Sequence, residues 1–245
     1  MKDFKTLTEA EYRAYPAESY SSIKYLLDSP QTFLYYKSKP FQGSDSTLLG
    51  TAVHNYFQGN KHLITYSIVD KRKKAEYEEF EKNFRSLAGE DGIIVPKSFE
   101  EKINAVMSNL NKNTNATNLL DGCKFEEPFL FEIGGISLKG KVDGIKKDRI
   151  VEIKTSSMAT DAHEFRREAY NRDYDLQAYL YCQAAKVSKH YFIVANTTAP
   201  YKVSVYKSSQ SLLDSGKEKA AIVVDRYKRY ILGNEVYVDE KIEEI

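Results

Sequence analysis

The sequence predicts a mixed α/β (α+β) domain, with one mixed central β-sheet flanked by helices. Three observations predict it. Residues up to about 120 are dominated by helical periodicity. Three short β-rich segments follow between Phe125 and Thr155, broken by turn residues. The remainder reads as helix, two strands and helix. No Pro- or Gly-rich linker separates these parts, so a single domain over 1–245 is expected. Its helical N-terminal part reaches about residue 120, and its sheet and helices run from about 121 to 245. Elements of both kinds bury their apolar faces most simply as one sheet covered by helices.

Ser19 to Tyr36 carries apolar residues at Ile23, Leu26, Leu27, Phe33 and Leu34. Ser29-Pro30 interrupts it, because Pro pushes the preceding residue out of the helical region. Two short helices with a bend are expected. Pro40 to Ser46 reads as a loop. Thr47 to Gln58 reads as a helix stopped at Gly59-Asn60. Lys71 to Leu87 is a charged helix with Tyr77, Phe80 and Phe84 spaced by three and four. Gly89 to Pro96 reads as a loop. Ser98 to Asn111 reads as a helix, capped by Ser98 with Glu101 three residues on.

Phe125–Ile133, Ile136–Ile145 and Arg149–Thr155 form an expected antiparallel meander, turning at Gly134-Gly135 and at Lys146-Lys147-Asp148. Glu164 to Ala185 is mostly helix. Lys189–Ala195 and Lys202–Tyr206 are two more strands, joined across Asn196–Pro200. Ser209 to Ile231 is a long final helix ended by Gly233.

Composition sets limits on function. At 245 residues, 42% hydrophobic and 29% charged, the chain is an ordinary globular one. It buries roughly 70% of its unfolded surface on folding and needs no staple. Lys+Arg is 36 and Asp+Glu 35, a net charge of +1. That excludes gripping nucleic acid by bulk charge and leaves room for a local basic groove. Two cysteines, Cys123 and Cys182, are too few for a disulfide framework, an all-cysteine zinc site or a four-cysteine iron–sulfur cluster. No apolar run approaches the ~20 residues of a membrane span, and the start Met1-Lys2-Asp3-Phe4 lacks a signal core. A reducing, cytoplasmic setting without a membrane is expected. No GxxxxGK[ST] occurs, so no ATP-driven motor is expected.

The chemistry concentrates in Gly140-Lys141-Val142-Asp143-Gly144 and Val151-Glu152-Ile153-Lys154-Thr155. If the turn is centred between Lys147 and Asp148, residues whose numbers sum to 295 face each other. Asp143 then meets Glu152, Val142 meets Ile153, and Lys141 meets Lys154. A four-residue loop would change that register, and Lys-Asp is a poor two-residue turn. Alternation puts Asp143, Glu152 and Lys154 on one face, and Val142, Val151 and Ile153 on the other. Opposed like charges ~5 Å apart repel. A divalent cation between the carboxylates removes that repulsion. Two carboxylates and a main-chain carbonyl make a hard oxygen site suited to Mg²⁺ or Mn²⁺, which activates water and neutralises phosphate charge. Lys154, on the same face, is placed to steer the water or stabilise the transition state. The plainer alternative is an exposed strand face of alternating charge.

Val142-Asp143 and Glu152-Ile153-Lys154 resemble the PD-(D/E)xK nuclease core, with Val142 in place of the Pro. Gly50-Thr51-Ala52-Val53-His54 resembles the G-T-A-x-H helix of nucleases of the RecB and exodeoxyribonuclease VIII (RecE) type. Tyr20-Ser21-Ser22-Ile23-Lys24-Tyr25-Leu26, with Ser29-Pro30, Phe33 and Tyr36, resembles their N-terminal serine segment. Tyr174 to Tyr181 resembles their QxxxY helix. The four blocks stand in the family's order over about residues 19–185. The layout is most similar to the exodeoxyribonuclease VIII type, related to the phage lambda-type exonucleases.

This resemblance implies a PD-(D/E)xK restriction-endonuclease-like core and a Mg²⁺-dependent exodeoxyribonuclease, with Mn²⁺ as a substitute. Its substrate would be linear double-stranded DNA, digested 5′ to 3′ to leave 3′ single strands for homologous recombination. It implies that Asp143, Glu152 and the Ile153 carbonyl hold metal, that Lys154 is catalytic, and that His54 is a further ligand. Glu127 resembles the upstream acid that supports the metal; its neighbour Glu126 remains open as the alternative. Gln177 and Tyr181, four apart and on one helix face, would line the active site and DNA. Ser22 would bind a phosphate or cap a helix. Lys146, Lys147 and Arg149 are the best-placed basic residues for the DNA path; Lys71-Arg72-Lys73-Lys74 and Arg166-Arg167 are weaker candidates.

Relatives form homo-oligomeric rings, trimeric or tetrameric, and act beside a single-strand annealing protein. They are bacterial or phage-encoded. Some members hold an iron–sulfur cluster, and this chain lacks the cysteines for one. Two rival readings remain at this stage: another nuclease of the RecB-like or CRISPR-associated kind, acting as an endonuclease or end trimmer, and a non-catalytic DNA-binding or scaffolding module.

Overall fold

Local sequence signals account for most element boundaries in the computed structural model, which describes residues 4–39, 43–67, 69, 71–89, 92–158 and 161–238. In chain order the elements are α1 (Glu9–Ala14), β1 (Glu18–Ser19), α2 (Tyr20–Ile23), α3 (Pro30–Lys37), α4 (Asp45–Phe57), β2 (Ile64–Ser67), α5 (Lys74–Ala88), β3 (Ile93–Pro96), α6 (Glu100–Lys112), α7 (Thr114–Leu120), β4 (Lys124–Ile133), β5 (Ile136–Lys146), β6 (Arg149–Ser156), α8 (Ala162–Asn171), α9 (Tyr174–Ala185), β7 (Lys189–Asn196), β8 (Val203–Lys207) and α10 (Gln210–Arg226). Ser29 caps α3 by accepting from the Thr32 N–H, with Pro30 in the first turn. The expected bend between two short helices stands there. α4 opens on a Ser44–Thr47 capping box and ends before Gly59, whose φ is +78°. The expected Pro40–Ser46 loop lies partly outside the described residues, and α4 already includes Asp45 and Ser46.

Several expectations need correction. The Gly89–Pro96 loop contains β3, which pairs in parallel with β2, an element of four residues too short to show a period. α6 begins at Glu100 after a 3₁₀ turn, and no side chain caps it, so Ser98 is not its cap. The expected single helix over 164–185 is two, α8 and α9. Asp173 breaks it, standing in the left-handed region at φ +58° with its carboxylate held by Lys219 at 2.7 Å. The last helix widens into a π-helical turn over Tyr227–Leu232 before Gly233.

The central sheet is mixed. Along it, β1, β5, β6, β7 and β8 are neighbours in that order, and β4 also pairs with β5. β4, β5 and β6 form the antiparallel meander, β6 and β7 run parallel, and β7 and β8 antiparallel. Gly134 and Gly135, both at positive φ, make the tight first turn. The second turn has the two-residue register: Lys146 faces Arg149, Ile145 faces Ile150 and Gly144 faces Val151.

A strand has only two edges, and β4 takes one edge of β5 along most of its length. β1 and β6 therefore share the other. β1 pairs with Leu138 and Lys139, and β6 with Gly144 to Lys146. Between them, residues 140–143 of β5 have no strand beside them on that edge. This gap is where the site lies.

Helices cover both faces. Val151, Ile153, Ile193 and Ala195 pack with Val53, Val106 and Leu110 of α4 and α6. Val142 and Ile150 pack with Leu176, Leu180 and Tyr181 of α9 and with Val223 of α10. α9 meets α10 where a Cβ on Gly216 would stand 2.1 Å from the Asp175 carbonyl oxygen. An Ala in a helix is ordinarily favoured over Gly by ~1 kcal/mol. Here the obstacle is backbone, which has no rotamer to yield. We expect Gly216→Ala to destabilise by ~2 kcal/mol or more, read as a lowered urea midpoint; an unchanged or raised midpoint would contradict the close crossing.

Candidate active site

Beyond the Gly144–Val151 pair, β5 and β6 separate, and side chains replace the ladder. The Asp143 N–H donates to Glu152 Oε1 at 3.3 Å, and the Ile153 N–H donates to Asp143 Oδ2 at 2.7 Å. The expected backbone pairings of Asp143 with Glu152, Val142 with Ile153 and Lys141 with Lys154 therefore do not form. Nor does Val142 share a face with Val151 and Ile153; it packs on the α9 side, and they pack on the α4 side. A kink on the neighbouring strand lies at the same level. Glu126 on β4, opposite Asp143, takes φ +52° and leaves the ladder.

α4 delivers His54. Gly50, one helical turn earlier on the same face, lets the helix approach β6: a Cβ there would lie 3.3 Å from Thr155 Oγ1. Ala52 and Val53 are buried in the core beneath. His54 Nδ1 stands 3.1 Å from Asp143 Oδ1, and Nε2 stands 3.1 Å from the Ile153 carbonyl oxygen. Both neighbours accept hydrogen bonds. Satisfying both requires a proton on each ring nitrogen, the charged imidazolium. Burial opposes that charge, but Asp143 outweighs burial and raises the pKa of His54. Burial likewise opposes ionisation of Asp143; His54 and Lys154 overcome it and hold its carboxyl below the usual range.

α9 holds the other acid. Gln177 Nε2 donates to Glu152 Oε2 at 3.1 Å, and Lys154 Nζ reaches the same oxygen at 3.1 Å. Burial first, and Asp143 second, push Glu152 up to about 7. Lys154 is held above its usual value because Glu152 outweighs its burial. Its ammonium also lies over the Tyr174 ring, 4.8 Å from the centroid. Tyr181, one turn beyond Gln177, lies against the β5 backbone, where a Cβ on Gly140 would meet its ring at 2.7 Å. Gly140 thus admits the ring that fills the gap's floor.

The ligand atoms of His54, Glu126 and Asp143 all lie within 4.8 Å of one another. Glu126 is also held by Gln58 at 2.8 Å and Lys141 at 3.3 Å. Glu127 is elsewhere, ion-paired with Lys5 at 2.7 Å and paired on the strand with Val142. Counting back from the Gly134-Gly135 turn, pairs sum to 269, which sets Glu126 rather than Glu127 opposite Asp143. That signal was present in the sequence.

A cleft of about 930 Å³ opens onto this cluster, lined by Glu9, Arg13, His54, Glu126, Lys141 and Lys154 among others. Lys146, Lys147 and Arg149 do not line it. They sit at the hairpin tip, where Lys146 donates to the Asp121 carbonyl and Arg149 to the Leu119 carbonyl. Ser22 is engaged in its own helix start, accepting from the Ser19 N–H at 3.0 Å and donating to Glu18 at 3.0 Å. Arg13 and Arg85, which no motif singled out, line the cleft together with the lysines Lys141 and Lys154.

Residues 19–242 match the family described as a PDDEXK-like domain of unknown function (DUF3799). The chain belongs to that family. It is a member of the PD-(D/E)xK nuclease superfamily, and the mixed sheet flanked by helices is the fold that membership entails. The PDDEXK-like chain is similar in fold to the crystal structure of a "putative exonuclease" from Eubacterium rectale, with a TM-score of 0.65 and 14% identity over 97% of this chain and 96% of that one. A phage related exonuclease from Haemophilus somnus 129PT is similar at a TM-score of 0.37 and 14% identity, over 76% of this chain and 95% of that one. No curated protein matches. Among the described residues no helix is long and apolar enough to cross a membrane.

The carboxylates and the Ile153 carbonyl make an oxygen set that fits Mg²⁺ or Mn²⁺, the imidazole favours the softer Mn²⁺ of the two, and a cation would relieve the repulsion between the acids. PDDEXK-type nucleases generally use divalent metals, and this cluster is a possible acidic metal site. Binding requires His54 and Glu152 to be deprotonated, so protons compete with the ion. Both groups have folded pKa values above their unfolded ones. The stability each contributes to the metal-free protein is complete at low pH; that of Glu152 is lost as pH rises through about 7, and that of His54 is lost as pH rises through its own raised value. We expect the rise in Tm produced by Mn²⁺ to be larger at pH 8 than at pH 6. Glu152→Gln should flatten the metal-free Tm profile across that interval. A Mn²⁺ shift that is equal at both pH values would contradict this linkage.

Proposed function

We propose that this protein is a divalent-metal-dependent exodeoxyribonuclease that digests linear double-stranded DNA. The observation that carries the reading is the cluster of His54, Asp143 and Glu126 beside Glu152 and Lys154, in which His54, Glu126 and Lys154 line one cleft and Asp143 and Glu152 lie buried behind them. In this reading Asp143, Glu126, His54, Glu152 and the Ile153 carbonyl hold Mg²⁺, or Mn²⁺ in its place. A bound divalent ion supplies charge neutralisation at the phosphate and lowers the pKa of water beside it. Lys154 hydrogen-bonds the phosphate or the attacking water, and Glu152 keeps its ammonium charged and aimed. Gln177 fixes the Glu152 rotamer from above. Arg13, Arg85 and Lys141 offer phosphate contacts along the cleft without reading sequence.

The finer parts of the proposal rest on the family resemblance. They are 5′-to-3′ polarity, 3′ overhangs for recombination, a homo-oligomeric ring, a single-strand annealing partner and a cytoplasmic location. The helical part and the sheet part act as one domain in this reading, because His54 comes from the first and Asp143 from the second.

The test is digestion of linear duplex DNA carrying 5′-phosphates, in Mg²⁺ and in EDTA, beside a closed-circular control. We expect loss of the linear DNA alone, only with metal, and reduced more than about a hundredfold by Glu152→Ala. Loss of the circle as well would convert the reading to an endonuclease. No digestion in Mg²⁺ or Mn²⁺ by folded protein would overturn it. Within the ligand set, Glu126→Ala should raise the Mn²⁺ concentration needed for half-maximal activity by about 10–100-fold. Glu127→Ala should leave it unchanged, and the opposite ranking would return the role to Glu127.

A further inference from the structure

Helix α3 buries Pro30 and Phe33 and turns its remaining apolar residues outward. Leu34, Tyr35 and Tyr36 are 53%, 57% and 48% exposed. Three consecutive exposed apolar residues are unfavourable in a soluble protein unless they meet something. They are organised rather than scattered. The Tyr36 ring stacks on Tyr25, centroids 4.1 Å apart and 15° from parallel, and Tyr35 stands edge-on to Tyr36 at 5.3 Å.

Cations are interleaved with the rings. Lys39 lies 5.0 Å from the Tyr35 centroid, and Lys24 lies 5.3 Å from Tyr25 and 5.7 Å from Tyr20. Glu18, close by, is buried and neutralised by Lys37. The track continues towards the active site. Tyr20 donates its hydroxyl to the Arg172 carbonyl at 2.6 Å, at the end of α8, and Tyr174 of α9 underlies Lys154.

We propose that Tyr25, Tyr35 and Tyr36, with Lys24 and Lys39, form a stacking platform for an unpaired nucleic-acid strand running to or from the active-site cleft. Every base has a face that stacks on an aromatic ring, so such a surface is indifferent to sequence. The alternation of rings and ammonium groups matches the alternation of bases and phosphates. Charge complementarity and continuity with the cleft favour this occupant over an apolar protein segment. The proposal rests on the nuclease reading for the direction of the strand, and its binding test does not depend on catalysis.

The probe is a fluorescently labelled 20-nucleotide oligothymidylate, followed by anisotropy in EDTA. We expect the wild-type chain to bind it, and Tyr35→Ala with Tyr36→Ala to weaken binding about tenfold or more. Lys39→Glu should weaken it and steepen no salt dependence, while Tyr36→Trp should retain it. Thermal unfolding of each variant separates lost binding from lost fold. Wild-type affinity in the folded double-alanine variant, or no wild-type binding at all, overturns the platform. A change in oligomeric mass in that variant, with oligonucleotide binding intact, would assign the patch to a second copy and also overturn it. If the wild-type protein digests linear duplex DNA while the tyrosine variants bind as it does, only the platform falls. If it fails to digest while the variants lose binding, only the nuclease reading falls.

Discussion

The separation of β5 from β6 after Gly144 and Val151 is the constraint on which the site depends. A continued ladder would satisfy the backbone at Asp143 and Ile153 and would leave no room for a ligand. The chain instead satisfies those N–H groups with the carboxylates of Glu152 and Asp143. Each acid is thereby oriented by the backbone of the other's strand. Buried polar groups are rarely left unpaired, so the two strands cannot drift without losing both bonds. Orientation of the acids and opening of the sheet are one event.

That arrangement concentrates negative charge, and the surroundings answer it with three cations of different character. His54 bridges two acceptors as an imidazolium. Lys154 is pinned between Glu152 and the Tyr174 ring. Lys141 stands between Glu126 and Glu9. Two groups here exchange protons readily: His54 can shed its proton, and Glu152, pushed up to about 7, gains and loses one near neutral pH. A divalent ion entering here would take the place of protons and so would cost little electrostatically. Asp143, held low, is the fixed anion around which the exchange occurs.

Much of this was legible from the chain. Strand alternation and turn chemistry revealed the meander, and the sum of residue numbers located the second hairpin's register correctly up to the Gly144 pair. The same arithmetic at the Gly-Gly turn selects Glu126. The resemblance points instead to Glu127, because it aligns acids by order and not by cross-strand position. The kink at Glu126 and Asp143 was invisible because positive φ at a glutamate has no sequence signature. The β2–β3 pair was hidden by its brevity, and the break at Asp173 by a helical pattern that continues unaltered through it. The basic run at the hairpin tip looked functional because spacing along a strand says nothing about which end faces the cleft. Arg13 escaped notice because α1 reaches the cleft through tertiary packing, with Lys139 holding its C-terminal carbonyls.

The parallel pairing of β1 with Leu138 and Lys139 has a consequence for how the molecule comes into being. The gap is bounded at one end by a segment near residue 18 and at the other by a hairpin near residue 148. Its histidine meets its carbonyl across 99 residues of chain. Contacts so distant in sequence form late. A nascent chain carries Glu126, Asp143 and Glu152 before it carries Gln177, 25 residues beyond Glu152, which clamps that acid. The cluster's side chains are therefore brought together only after α9 has been made and has packed on the sheet.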